Sequence, residues 1–61
     1  MNTILIVDDE KTIRFGFQRI LTDEGYEVMT AENYESAFDV ISRTTPDLIF
    51  SDIILGGAYR D

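Results

Sequence analysis

The chain switches repeatedly between two hydrophobic periods. Thr3-Ile4-Leu5-Ile6-Val7 is a short, continuous, β-branched apolar run closed by Asp8-Asp9-Glu10. A run without polar alternation reads as a strand covered on both faces, the situation of a parallel sheet. From Lys11 to Glu24 the period changes: Ile13, Phe17, Ile20 and Leu21 fall at i, i+4, i+7 and i+8, one helical stripe expected to face a core. Acids crowd the start of this helix, with Asp9 or Glu10 its expected cap, and Gly25 supplies the stop. Tyr26 to Ala31 is a second strand, with Val28 and Ala31 expected to be buried. Asn33 then caps a second helix, in which Tyr34, Ala37, Phe38 and Ile41 repeat at i, i+3, i+4 and i+7. Thr44-Thr45-Pro46-Asp47 breaks it, because the residue before a proline is driven out of the helical region. Leu48-Ile49-Phe50 is a third strand, ending in Ser51-Asp52. Ile53-Ile54-Leu55-Gly56-Gly57 turns away, and Ala58 to Asp61 carries no pattern.

Strand, helix, strand, helix, strand is a βαβαβ unit, which winds right-handed into a parallel α/β sheet. In such sheets ligands bind beyond the carboxyl ends of the strands. Two of the three strands end in aspartate: Asp8-Asp9 after the first and Asp52 after the third. If these strands are neighbours, their ends lie about 4.8 Å apart and three carboxylates converge. Close carboxylates repel, and either a retained proton or a hard cation relieves that repulsion. Mg²⁺ suits an all-oxygen site of this kind, and the lone acid at its own strand end is placed to act as a nucleophile toward a phosphoryl group. Taken one at a time, Asp8, Asp9 and Asp47 are ordinary cap or turn residues. Only the joint arrangement points to a cation.

Composition narrows the chemistry further. With 61 residues the chain holds one small domain, and its 12 Asp plus Glu against 5 Lys plus Arg give a net charge of −7. That balance disfavours direct nucleic-acid binding and an anionic membrane surface. The chain has no His and no Cys, which removes thiolate and imidazole metal sites and the His-based catalytic constellations. There is no basic, apolar leader and no membrane-length run, so a cytoplasmic location is expected. Gly56-Gly57 precedes no helix in the manner of a phosphate loop, and reads as a turn.

The segments ILIVDDE at 4–10, GYEVMTAEN at 25–33 and PDLIFSDIILGG at 46–57 resemble the receiver domain of bacterial two-component response regulators. The resemblance runs from Thr3 to Gly57 with its motifs in register. It implies a flavodoxin-like parallel sheet, here truncated to three strands and two helices. It implies that Asp52 is the phosphoacceptor for a partner histidine kinase, that Asp8 and Asp9 hold Mg²⁺ together with Asp52, and that the backbone carbonyl of Ile54 is a further ligand. It also implies a kinase-facing surface around the first helix, which makes Ile13, Arg14 and Phe17 candidate contacts, although their stripe reads equally as core. The phosphorylated state would be read by an output domain or downstream protein, with receiver-type phosphorylation and dephosphorylation rather than enzyme turnover.

Departures from the family pattern shape the expectations. A receiver has five strands and five helices, with a Thr or Ser ending the fourth strand and a Lys ending the fifth, and residues 1–61 contain neither of those two strands. Lys11 follows the first strand and is not that lysine. The chain is therefore expected to be the N-terminal part of a longer receiver, marginally stable, with weak Mg²⁺ binding and slow phosphorylation. Its third strand should be an apolar edge able to self-associate. Two alternatives remain: an interaction half-domain whose acids are relics, and, less well matched, a metal-dependent phosphohydrolase. The latter usually spaces its two acids two residues apart, whereas Asp8 and Asp9 are adjacent.

Overall fold

A computed structural model describes residues 2–51. Five elements follow one another as the hydrophobic periods require: β1 (Thr3–Val7), α1 (Lys11–Asp23), β2 (Glu27–Ala31), α2 (Tyr34–Arg43) and β3 (Leu48–Ser51). The three strands form one parallel sheet in the order β2-β1-β3. The chain is therefore a βαβαβ unit of the truncated flavodoxin-like kind, with β1 central and β1 and β3 adjacent.

All five residues of β1 are buried, and Leu5 is fully so. This is why the strand tolerates no polar alternation: it is flanked by strands on both edges and by a helix on each face. The core gathers on the α2 face, where Leu5 and Val7 meet Ala31 and Ala37, with Met29, Tyr34, Val40 and Ile41 packed around them. Ala31 is buried as expected, while Val28 is only half-buried.

Both helix boundaries have local chemical causes. Asn33 Oδ1 accepts the Ser36 amide at 2.8 Å, and Ser36 Oγ accepts the Asn33 amide at 3.3 Å, a complete capping box at the start of α2. Gly25 ends α1 with φ 98°, a conformation that costs other residues a steric clash. The start of α1 differs from expectation. Glu10 is the N-cap but its side chain accepts no capping bond, and no acid lies in the first turn.

Two apolar expectations are corrected. No residue of α1 is buried, and Phe17 and Ile20 are half-exposed or more. Among the described residues, Phe17 of this stripe lines an open, mostly apolar groove beside β3 rather than a closed core. In α2, Phe38 is 68% exposed against expectation, and Val40, outside the expected stripe, packs against the core instead. The helix meets the sheet through Ala37, Val40 and Ile41, a stripe rotated away from Phe38.

Asp47 ties the start of β3 to the start of β1. Its Oδ2 accepts the Thr3 amide at 2.8 Å and its own amide donates to the Thr3 carbonyl at 2.7 Å. Every residue of β3 is exposed, and within the described residues the strand is an edge, as expected. No described helix is long and apolar enough to cross a membrane.

Candidate functional site

Register brings the carboxyl ends of β1 and β3 together: Val7 pairs with Ser51. Asp8 follows Val7 and Asp52 follows Ser51, so each acid is one residue beyond a paired position. Asp52 and Ile54 lie outside the described residues.

Asp8 is 4% exposed, an unusual position for a carboxylate, and its polar groups are individually satisfied. Its amide donates to the Ala31 carbonyl at 3.0 Å, fixing it to the end of β2. Its Oδ1 accepts the Glu10 amide at 2.8 Å, closing a tight turn over residues 8–10. Its carbonyl accepts a bond from Arg14 Nη1 at 2.9 Å. Of the two residues expected to cap α1, Glu10 holds the N-cap position without a side-chain capping bond, and Asp8 orders the approach to the helix through the Glu10 amide. Asp9, in the middle of the turn, is exposed.

The donor set fits Mg²⁺ in kind. Asp8 and Asp9 offer carboxylate oxygens, the ligands this hard cation prefers. Among the described residues no three His, Cys, Asp or Glu side chains come close enough to hold an ion. A third carboxylate has to be brought by the chain beyond Ser51, where Asp52 is the first residue.

Beside the acids runs a groove of about 360 Å³ lined by Ile6, Val7, Asp8, Phe17, Phe50 and Ser51. Its lining is mostly apolar, so the acid turn sits at its polar margin. The three candidate contact residues of α1 divide. Ile13 and Phe17 are exposed, whereas Arg14 is half-buried and directed at the Asp8 main chain. Sequence pattern had no means of assigning that bond, because a side chain reaching six residues back to a carbonyl leaves no periodic trace.

A receiver-domain family profile, "Response regulator receiver domain", matches residues 4–59. The chain is 47% identical over 58 residues to the nitrogen assimilation regulatory protein NtrX of Azorhizobium caulinodans, covering 95% of this chain and 13% of the relative. It is 49% identical over 55 residues to the phosphate regulon transcriptional regulatory protein PhoB of Pseudomonas aeruginosa, covering 90% of this chain and 24% of the relative. It is also 37% identical over 54 residues to sporulation initiation phosphotransferase F of Bacillus subtilis, covering 88% and 44% respectively. The chain therefore spans less than half the length of each of these relatives. No solved structure shows a significant match to it. The parallel βαβαβ order, the acid pair closing β1 beside the end of β3, and a profile match over nearly all of its length agree: the chain belongs to the response regulator receiver domain family.

Proposed function

We propose that Asp52 accepts a phosphoryl group from the phosphohistidine of a partner histidine kinase, and that Asp8, Asp9, Asp52 and the Ile54 carbonyl hold the Mg²⁺ that assists the transfer. The observation that carries this reading is the Val7–Ser51 pairing, which sets the carboxyl ends of β1 and β3 side by side. Consecutive Cα atoms are about 3.8 Å apart and paired strands about 4.8 Å. An acid that continues β3 in this register would lie within the span of a single small cation shared with Asp8.

The transfer balances simply. An Asp52 carboxylate oxygen forms the new O–P bond while the P–N bond to the kinase imidazole breaks, and the departing nitrogen keeps the electron pair and gains a proton. Hydrolysis returns the carboxylate: water adds to phosphorus, the O–P bond to Asp52 breaks, and inorganic phosphate leaves. Bound Mg²⁺ supplies positive charge to the phosphoryl oxygens. The chain's own contribution is orientation. Asp8 is held by three hydrogen bonds at the end of β1, and Asp9 stands in the turn they define. Phosphorylation at Asp52 then biases a two-state surface read by an output domain or downstream protein. In this reading the chain is a phosphoacceptor switch rather than an enzyme with a separate substrate, and it works in the cytoplasm.

The experiment is a Mg²⁺ titration followed by amide NMR. Saturable perturbation centred on Asp8 and Asp9, lost in Asp9→Asn and in Asp52→Asn, is expected. Binding indifferent to Asp52 would refute the shared site.

One observation favours a second role. Leu48, Ile49 and Phe50 are each about half-exposed along an edge with no charge in the run. Such an edge pairs readily with another chain. Sedimentation at low micromolar concentration should show self-association that Ile49→Lys reverses, and a concentration-independent monomer would remove this role.

A further inference from the structure

Among the described residues, Arg14 is the one basic side chain bonded to the acid turn. Its Nη1 donates to the Asp8 carbonyl at 2.9 Å, reaching from the first turn of α1 back across the helix start. It is half-buried, and its guanidinium lies 5.8 Å from the centre of the Phe15 ring, within the range of a cation–π contact. Lys11 approaches the same ring at 5.7 Å. Among the described residues the only ion pair joins Arg43 to Asp39, far along α2. Arg14 thus spends its fork on a main-chain carbonyl although three acids precede the helix.

The choice of acceptor matters physically. A guanidinium paired with the Asp8 or Asp9 carboxylate would neutralise the donors a cation needs. Bonded to the Asp8 carbonyl, it fixes the peptide between Asp8 and Asp9 and leaves the carboxylate chemistry intact. The other constraints on the turn come from the Ala31 carbonyl and from the Asp8 side chain itself. Of the three bonds to Asp8, the Arg14 Nη1 bond is the one made by an α1 side chain, while the Arg14 amide donates to the Glu10 carbonyl at 3.0 Å at the far end of the turn. Removing the side chain takes away the bond that holds the Asp8 carbonyl and so loosens the peptide joining the two acids.

We infer that Arg14 is a positioning residue for the acid pair: its bond to the Asp8 carbonyl holds the 8–10 turn in the shape that presents Asp8 and Asp9 to a cation. This rests on the Mg²⁺ reading of the site above, and it reassigns Arg14 from a surface contact to a support of the site. Groups of this kind, one step removed from a metal, alter affinity by about 10–100-fold when lost.

The test compares Arg14→Ala, Arg14→Lys and Arg19→Ala in the 61-residue chain by amide hydrogen exchange and by Mg²⁺ titration. The Glu10 amide reports the turn directly, because it donates to Asp8 Oδ1. In Arg14→Ala, Glu10 exchange should accelerate several-fold while Leu5 and Ile6 amides keep their protection, and the Mg²⁺ dissociation constant should rise about tenfold. Arg14→Lys, which keeps the charge and one donor, should recover part of both effects, and Arg19→Ala should change neither. Unchanged Glu10 exchange in Arg14→Ala overturns the inference, as does tighter Mg²⁺ binding, which would make the guanidinium a competing charge. If all amides lose protection together in Arg14→Ala, the residue supports the fold at large and the inference also fails, unless Arg14→Lys shows the selective Glu10 effect. Failure of the wild-type chain to bind Mg²⁺ counts against the metal reading, while the Glu10 exchange still decides whether Arg14 holds the turn.

Discussion

Replacing Asp47 with alanine should destabilise the chain more than its place before a surface strand suggests. The Asp47 carboxylate accepts the Thr3 amide at 2.8 Å, and Thr3 is only 9% exposed. Truncation leaves that amide without its acceptor while the reciprocal bond from the Asp47 amide to the Thr3 carbonyl persists. Hydrogen bonds to charged groups contribute about 1.5–3 kcal/mol, and stranding a buried donor costs about 1–3 kcal/mol. Asp47 itself is exposed, so water reaches part of the gap, and a loss of about 1.5 kcal/mol is expected. At about 0.05–0.15 kcal/mol per residue, a chain of this size has only ~3–9 kcal/mol in total. The loss should lower the melting temperature by roughly 6–12 °C. Asp47→Asn keeps an acceptor oxygen and should lose about half as much. The control is Asp39→Ala, which removes the exposed ion pair with Arg43 on α2 and should cost about 0.3–0.5 kcal/mol. Urea unfolding followed by circular dichroism, with an unchanged m-value, measures all three. The reasoning is refuted if Asp47→Ala costs no more than Asp39→Ala, or if Asn is as damaging as Ala.

Two further substitutions probe the scaffold. Asn33→Ala removes the acceptor of the Ser36 amide and should cost about 1 kcal/mol, with amides in the first turn of α2 exchanging faster than those of its last turn. Leu5→Ala empties the centre of the α2-face core and should cost about 2–5 kcal/mol, enough to abolish cooperative melting in so small a domain.

Much of this fold is legible in the sequence because its strongest signals are local. The unbroken run Thr3–Val7 announces a strand covered on both faces, and β1 is central. Asn33 with Ser36 three residues later announces a cap, and the box is complete. Gly25 announces a left-handed stop, and its φ is positive. What local pattern does not carry is the partner of a face. The stripe of Ile13, Phe17 and Ile20 marks one side of α1, yet periodicity says nothing about what lies opposite, and these residues are exposed, with Phe17 lining the groove. Phe38 and Val40 part for a related reason: they lie on opposite flanks of the Ala37–Ile41 line, and only the crossing of helix over sheet decides which flank packs.

The candidate site divides along the same line. The acids at the strand ends are visible in the sequence, whereas the adjacency of β1 and β3, only a condition there, comes from the strand pairing. The supports are not. Asp47 holds Thr3 from 44 residues away, and before a strand an aspartate looks like any turn residue. Arg14 reaches the Asp8 carbonyl by a bond that no spacing rule encodes, and a stripe of exposed neighbours disguises it as surface. Distance in sequence hides the first, and the second, spanning only six residues, is hidden because no spacing rule covers a side chain bonding a main-chain carbonyl.

The central claim is that Asp52 is the residue phosphorylated. Incubation with Mg²⁺ and phosphoramidate, followed by borohydride reduction of the acyl phosphate and peptide sequencing, identifies the acceptor residue directly. Label confined to Asp52, dependent on Mg²⁺ and abolished in Asp52→Asn, is the expected result, however slowly it accumulates. Label on Asp8 or Asp9, or label that persists in Asp52→Asn, would contradict it.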